Sequence, residues 1–218
     1  MVINVLHTSF LLPSCSALNF LSSTEGDLDG EDAYIRIKPE PIETYMQITK
    51  FSRRELQMMY RGFKQECPNG IVKEETFKSI YAHFFPRTSE TDSYASYVYN
   101  SIDRAGPVVT FTELVLTLSA LARGSLQDKL RWAFSLYDLD HDGILSRSDL
   151  FRVIMSIYFL LGRSNPDMYE KMAQDHADRV FADLDINGDG VITIEEFMDS
   201  CLRNQSITDS LIHFDTIL

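Results

Sequence analysis

The chain has 218 residues, 44% of them hydrophobic and 24% charged, with 14 Phe and 10 Tyr to fill a core, a composition that excludes a disordered chain. Its 32 acidic residues against 20 Lys and Arg give a net charge of −12, a field that repels phosphate backbones and disfavours nucleic-acid binding. The three cysteines, Cys15, Cys67 and Cys201, are scattered and odd in number, so they fit neither a disulfide framework nor a tetrahedral zinc site and predict a reducing compartment.

In chain order, Val2 to Leu21 comes first. It is apolar but broken by Pro13 and several polar residues, and no Lys or Arg occurs before Arg36. It therefore lacks both the positive flank of a secretory signal and the ~20-residue apolar run of a spanning helix. Val2 stands where myristoylation requires Gly, while Cys15 is a candidate for palmitoylation. Ser22 to Asp32 is acidic and contains Gly, which reads as a flexible linker. Residues 1–50 are thus expected to be a variable extension, 51–122 a first lobe and 123–218 a second.

From Ser52 onward a pattern of helix, short loop and helix recurs. Ser52 to Phe63 sets Leu56, Met59, Tyr60 and Phe63 at helical spacing, and Leu126 to Tyr137 does so with Leu130, Ala133 and Phe134. Ser164-Asn165-Pro166 offers a cap and a first-turn proline for a helix running to Leu184. Each repeat carries an aliphatic residue in mid-loop, Val72, Val109, Leu145 and Ile192, and five residues later an apolar one, Phe77, Leu114, Leu150 and Phe197. Coupled positions of this kind predict an all-α fold of two lobes, in which the loops associate in pairs through short β bridges.

The chemistry lies in the loops. Residues 185–196 read D-I-N-G-D-G-V-I-T-I-E-E. Asp185, Asn187 and Asp189 supply side-chain oxygens at alternate positions, Gly190 permits the sharp turn, Val191 offers its carbonyl, Thr193 can hold a water and Glu196 closes the set bidentately. This is the Ca²⁺ loop of an EF-hand. Residues 138–149, D-L-D-H-D-G-I-L-S-R-S-D, repeat the pattern with Asp138, Asp140, Asp142, the Ile144 carbonyl and Asp149. Asp149 is one methylene shorter than Glu, which predicts a weaker Ca²⁺ site that tolerates Mg²⁺.

The other two loops are expected to bind nothing. In the second, Asp103 to Glu113 spans eleven residues, one too few, with Ala105 and Pro107 where oxygens should stand. In the first, Gln65 to Thr76, Cys67 occupies a hard-oxygen position, Pro68 stiffens the turn and Thr76 replaces the closing acid. No nucleophile motif or phosphate-cradling Gly loop accompanies these repeats, so the chain is not expected to be an enzyme.

The run F-S-R-R-E-L-Q-M-M-Y-R-G-F-K-Q-E-C-P-N-G from Phe51 to Gly70, with its Cys-Pro in the first loop, resembles the neuronal calcium sensor proteins, and within them is most similar to the Kv channel-interacting proteins. T-F-K-S-I-Y-A-H-F-F-P from Thr76 and R-G-S-L-Q-D-K-L-R-W-A-F-S-L-Y-D from Arg123 extend the likeness, which covers about Pro39 to Leu218. The resemblance implies a cytoplasmic Ca²⁺-binding auxiliary subunit of A-type voltage-gated potassium channels, brought to the inner face of the plasma membrane by its partner. It implies that a channel N-terminal segment lies in a first-lobe groove lined by Leu56, Tyr60, Phe63, Phe77, Ile80, Tyr81, Phe84 and Phe85. Those residues fit an ordinary core equally well. The N-terminal extension is a candidate for peripheral membrane contact. Two alternatives stay open, a modulator of a signalling enzyme and a Ca²⁺-regulated transcriptional repressor, the latter disfavoured by the charge. Asp149 and the shortened second loop depart from the family pattern and imply a narrower Ca²⁺ response.

Overall fold

The computed structural model describes residues 38–81, 89–102, 108–160 and 166–204. The apolar head with Cys15, the Ser22 to Asp32 linker, Phe84, Phe85, positions 103–107 of the second loop and the Ser164-Asn165 cap lie outside these residues.

The first lobe contains α1 (Ile42–Ile48), α2 (Arg53–Glu66), β1 (Ile71–Val72), α3 (Glu74–Tyr81), α4 (Ser89–Asn100), β2 (Val109–Thr110) and α5 (Phe111–Arg123). The second contains α6 (Leu126–Tyr137), β3 (Ile144–Leu145), α7 (Arg147–Leu160), α8 (Pro166–Leu184), β4 (Ile192–Thr193) and α9 (Ile194–Arg203). This is the expected all-α EF-hand architecture, with the strands reduced to two-residue bridges. The mid-loop residues pair as their spacing predicts: Val72 faces Val109 in one antiparallel pair and Leu145 faces Ile192 in the other.

Local chemistry sets the helix ends. Ser52 caps α2, accepting from the Glu55 N–H while the Glu55 carboxylate accepts from the Ser52 N–H at 2.7 Å. Ser125 and Asp128 repeat this reciprocal cap at α6. Each box satisfies backbone donors that a helix start otherwise leaves orphaned. α8 opens on Pro166, where the missing N–H costs nothing. On α2 the periodic residues Leu56, Met59 and Phe63 turn inward, and full burial of a leucine stabilises by roughly 2 kcal/mol.

Two apolar cores result. The first collects Leu56, Phe63, Val72, Val109, Phe111 and Val115, and it takes in α1, which precedes residue 51. Tyr45 of α1 is buried there, its ring edge-on to Phe111 and its hydroxyl 2.9 Å from Thr112 Oγ1. The second collects residues of α6 to α9, and it also includes Tyr81 of α3 and Tyr94, Ala95 and Val98 of α4.

Between the lobes the chain passes from α5 to the cap of α6 through Gly124 alone. A side chain at Gly124 would overlap the Ala120 carbonyl, whose carbon would lie 2.8 Å from the added Cβ. Just before it, the Arg123 guanidinium pairs with the Glu55 carboxylate, donates to the Lys50 carbonyl at 2.6 Å and lies over the Phe51 ring at 4.8 Å. That cation draws the Glu55 carboxyl down to about 2, helped by the Ser52 cap and opposed by partial burial.

Candidate metal centre

The third loop begins where α6 ends. Asp138 is the C-terminal cap of that helix, its N–H donating to the Phe134 carbonyl at 2.9 Å. Its own carboxylate accepts from the backbone N–H groups of Asp142 at 3.2 Å and Gly143 at 3.0 Å. Asp142 in turn accepts from the Ile144 N–H at 3.0 Å. These bonds curl the backbone around the carboxylates, with His141 and Gly143 at positive φ of 58° and 85°. Asp138, Asp140 and Asp142 bring one carboxylate oxygen each within 4.8 Å of one another. Ca²⁺ binds oxygen at about 2.3–2.6 Å, so ligands on opposite sides of one ion stand about 5 Å apart, and this spacing fits.

Asp138 is buried while Asp140 and Asp142 are exposed. Burial pushes the Asp138 carboxyl above its usual range; the two backbone N–H groups oppose this and the neighbouring Asp142 charge adds to it. Such a carboxylate is poised to gain from a cation. Asp149, also buried, stands in the first turn of α7, where its Oδ2 accepts from Ser146 N–H at 3.0 Å and Ser146 Oγ at 2.6 Å.

The fourth loop follows the same plan with a longer closing arm. Asp185 accepts from Gly188 N–H at 2.8 Å and Gly190 N–H at 3.1 Å, Asn187 Oδ1 from Asp189 N–H at 2.8 Å, and Asp189 from Val191 N–H at 3.0 Å. Gly188 and Gly190 supply the positive φ values of 73° and 89° that the turn demands. Glu196 reaches in two directions. Its Oε2 accepts from Thr193 N–H at 3.0 Å, and its Oε1 lies across the loop, 3.4 Å from the Asn187 N–H. The Thr193 bonds lower its carboxyl pKa. The β3–β4 register places Ile144 opposite Thr193, so the two loops share one backbone frame, which also carries Val191.

The predicted ligands Asp138, Asp140, Asp142, Ile144 and Asp149 thus fall in one loop, and Asp185, Asn187, Asp189, Val191 and Glu196 in its bridged partner. Every side-chain donor is a hard oxygen, which suits Ca²⁺ or Mg²⁺ and not a soft metal.

The first-lobe loops depart from this ligand pattern in sequence and are joined by the same kind of bridge. Glu113 lies in the first turn of α5, bonded to Thr110, its carboxylate accepting from the Thr110 N–H at 2.8 Å. It caps the helix just as Glu196 does in the fourth hand. Cys67 is buried against α2, its N–H bonded to the Phe63 carbonyl at 2.8 Å. Burial pushes its thiol, and that of Cys201, up to about 12. Burial thus works against the thiolate form that a nucleophilic cysteine requires.

The groove candidates are distributed unevenly. Leu56, Phe63 and Tyr81 are buried, while Tyr60, Phe77 and Ile80 are half-buried. Tyr60 meets Phe111 edge-on at 5.1 Å and Phe77 lies 5.6 Å from Tyr99, so both rings already pack on the core. A small recess bounded by Lys38, Pro39 and Thr110 lies beside Tyr60 and Phe63. Tyr81 belongs to the second core, not the first.

Two polar features escaped the sequence reading. The Arg123–Glu55 pair joins residues 68 apart, and His176, buried on α8, meets the Tyr158 hydroxyl at 3.1 Å. Neither follows a local motif. Among the described residues no helix is long and apolar enough to cross a membrane. Compared with known protein families, residues 127–202 match the model described as an EF-hand domain pair.

Proposed function

Taking residues 127–202 as an EF-hand domain pair, we propose that the chain is a Ca²⁺-responsive regulatory protein in which loops 138–149 and 185–196 each hold one divalent ion. The convergence of Asp138, Asp140 and Asp142 within 4.8 Å carries this reading. A bound ion would supply positive charge to carboxylates that otherwise repel one another. The chain's part is to place those oxygens. Helix ends fix Asp138 and Asp185, the bridge fixes Ile144 against Thr193, and the exit helices carry Asp149 and Glu196.

The two closing residues set the selectivity. Glu196 already spans its loop, which suits bidentate closure on Ca²⁺, whereas the shorter Asp149 suits the smaller, six-coordinate Mg²⁺. The third loop is accordingly the weaker Ca²⁺ site. Ion uptake and order in the second lobe are linked, because the unfolded chain has no such cage.

The first lobe serves as the platform for a partner. Its loops are bridged through Val72 and Val109, and its aromatic residues suit a helix-in-groove mode. On the resemblance to the Kv channel-interacting proteins, the partner is the N-terminal segment of a potassium channel, and the role is regulatory, not catalytic.

Calorimetric titration tests the core of this reading. Two Ca²⁺ per chain are expected, the weaker competed by millimolar Mg²⁺; no uptake at millimolar Ca²⁺ would remove it. Titration with a channel N-terminal peptide tests the partner separately, and absence of binding would leave the ion chemistry standing.

A further inference from the structure

α4 is the entering helix of the second hand, whose loop sequence lacks the ligand pattern, yet its residues are divided between both cores. Tyr99 and Ile102, at its C-terminal end and just beyond, belong to the first, and the Tyr99 hydroxyl donates to the Val72 carbonyl on β1 at 2.8 Å. Tyr94, Ala95 and Val98 belong to the second, where Tyr94 and Ala95 are 0% and 1% exposed. The helix lies along α7 and touches α6. These are the two helices that flank the third loop. The Arg152 guanidinium of α7 stands 5.8 Å from the Tyr97 ring centre, adding a polar contact at the edge of the same face.

A sensor hand opens by separating its flanking helices, and the exposed apolar surface between them is what a target helix binds. Here that surface already has an occupant from the same chain. We propose that α4 is a built-in target of the third hand, so that its seating on α6 and α7 and ion uptake by loop 138–149 strengthen each other. Linkage makes the effect reciprocal: whatever α4 adds to ion affinity, the ion returns as a firmer hold on α4. Because α4 also carries Tyr99 against β1, the ion state of the second lobe reaches the first lobe through a hand whose own loop sequence lacks the ligand pattern. The inference rests on the metal-binding reading above.

The full chain contains a single tryptophan, Trp132 on α6, packed against the second core, so its emission can follow Ca²⁺ titrations. Tyr94→Ala and Val98→Ala are expected to weaken Ca²⁺ binding at the third loop by about 5-fold or more, in the range usual for coupled sites. Leu56→Ala, a cavity of similar kind in the first core, should change Ca²⁺ affinity by less than either α4 variant does. Equal or tighter binding by both α4 variants would overturn the proposal. If those variants fail to fold, hydrogen exchange on the wild-type chain decides: amides of residues 92–100 should gain protection with Ca²⁺, and no gain overturns it. A wild-type chain that takes up no Ca²⁺ sinks the functional reading and this one together. A wild type that binds, with α4 variants that bind alike, sinks only this one.

Discussion

The two hand pairs share a bridged backbone and differ in the oxygen-bearing side chains that their loops offer. Both are bridged antiparallel at the same loop position, Val72 to Val109 and Leu145 to Ile192. Three of the four loop ends carry a hydroxyl residue three places before an acid, Thr110 and Glu113, Ser146 and Asp149, Thr193 and Glu196, and in each the acid accepts from the hydroxyl residue's own N–H. In the second hand this bond persists although the loop has lost its ligand pattern. The difference teaches that loop pairing and helix capping do not depend on the ligand pattern: the closing acid caps its helix whether or not the preceding positions supply oxygens.

The sharpest way to break that comparison is to injure the platform and ask whether the ion sites notice. Leu56→Ala empties a fully buried site and should cost about 3 kcal/mol in urea unfolding of the first lobe. Ca²⁺ stoichiometry should stay at two; loss of either ion would show that the first lobe is part of the cage. Next in size, Glu196→Gln should weaken the tighter Ca²⁺ step by about 100-fold, or ~2.8 kcal/mol. Glu113→Gln, at the equivalent end of the second loop, should leave the isotherm unchanged.

The pairs should also respond to acid in different windows. In the first lobe, the Glu55 carboxyl sits at about 2 instead of its usual 4.5 because Arg123 and Ser52 hold its ionised form. Its contribution is therefore complete above pH 4.5 and is lost as pH falls toward 2. Glu55→Gln should lower stability at neutral pH by about 1 kcal/mol, allowing for partial solvent screening, and should remove that part of the acid limb. In the second lobe, burial pushes the His176 imidazole below its usual 6.5. A neutral His buried in this way stabilises fully above pH 6.5 and progressively less as pH falls below it. His176→Phe should flatten that slope in the second lobe alone, measured by urea midpoints of the Ca²⁺-free protein between pH 5 and 7.5.

What the sequence revealed and what it hid follow from the range of the interactions. Short-range signals were legible: the inward stripe of α2, the apolar spacing of α6, Pro166 at the start of α8, and the ligand spacing of residues 138–149 and 185–196. The mid-loop aliphatics predicted the bridges because pairing demands them at a fixed loop position. Contacts between distant residues were not legible. Tyr45 reaches Thr112 across 67 residues, so a boundary placed after residue 50 leaves α1 outside the lobe whose core it completes. α4 sets Tyr94, Ala95, Val98 and Tyr99 at helical spacing among Ser and acidic residues, but nothing local says that this stripe is divided between two cores. Core and groove use the same residue types at the same spacing, which is why Leu56 and Phe63 could be assigned to either until their burial was known.

Gly124 joins the lobes by a single residue with no room for a side chain, while α4 spans them at a second place. Two bodies tied at two separate places have fewer ways to reorient than two tied at one, so a substitution that loosens α4 removes one of the two ties and leaves Gly124 as the other.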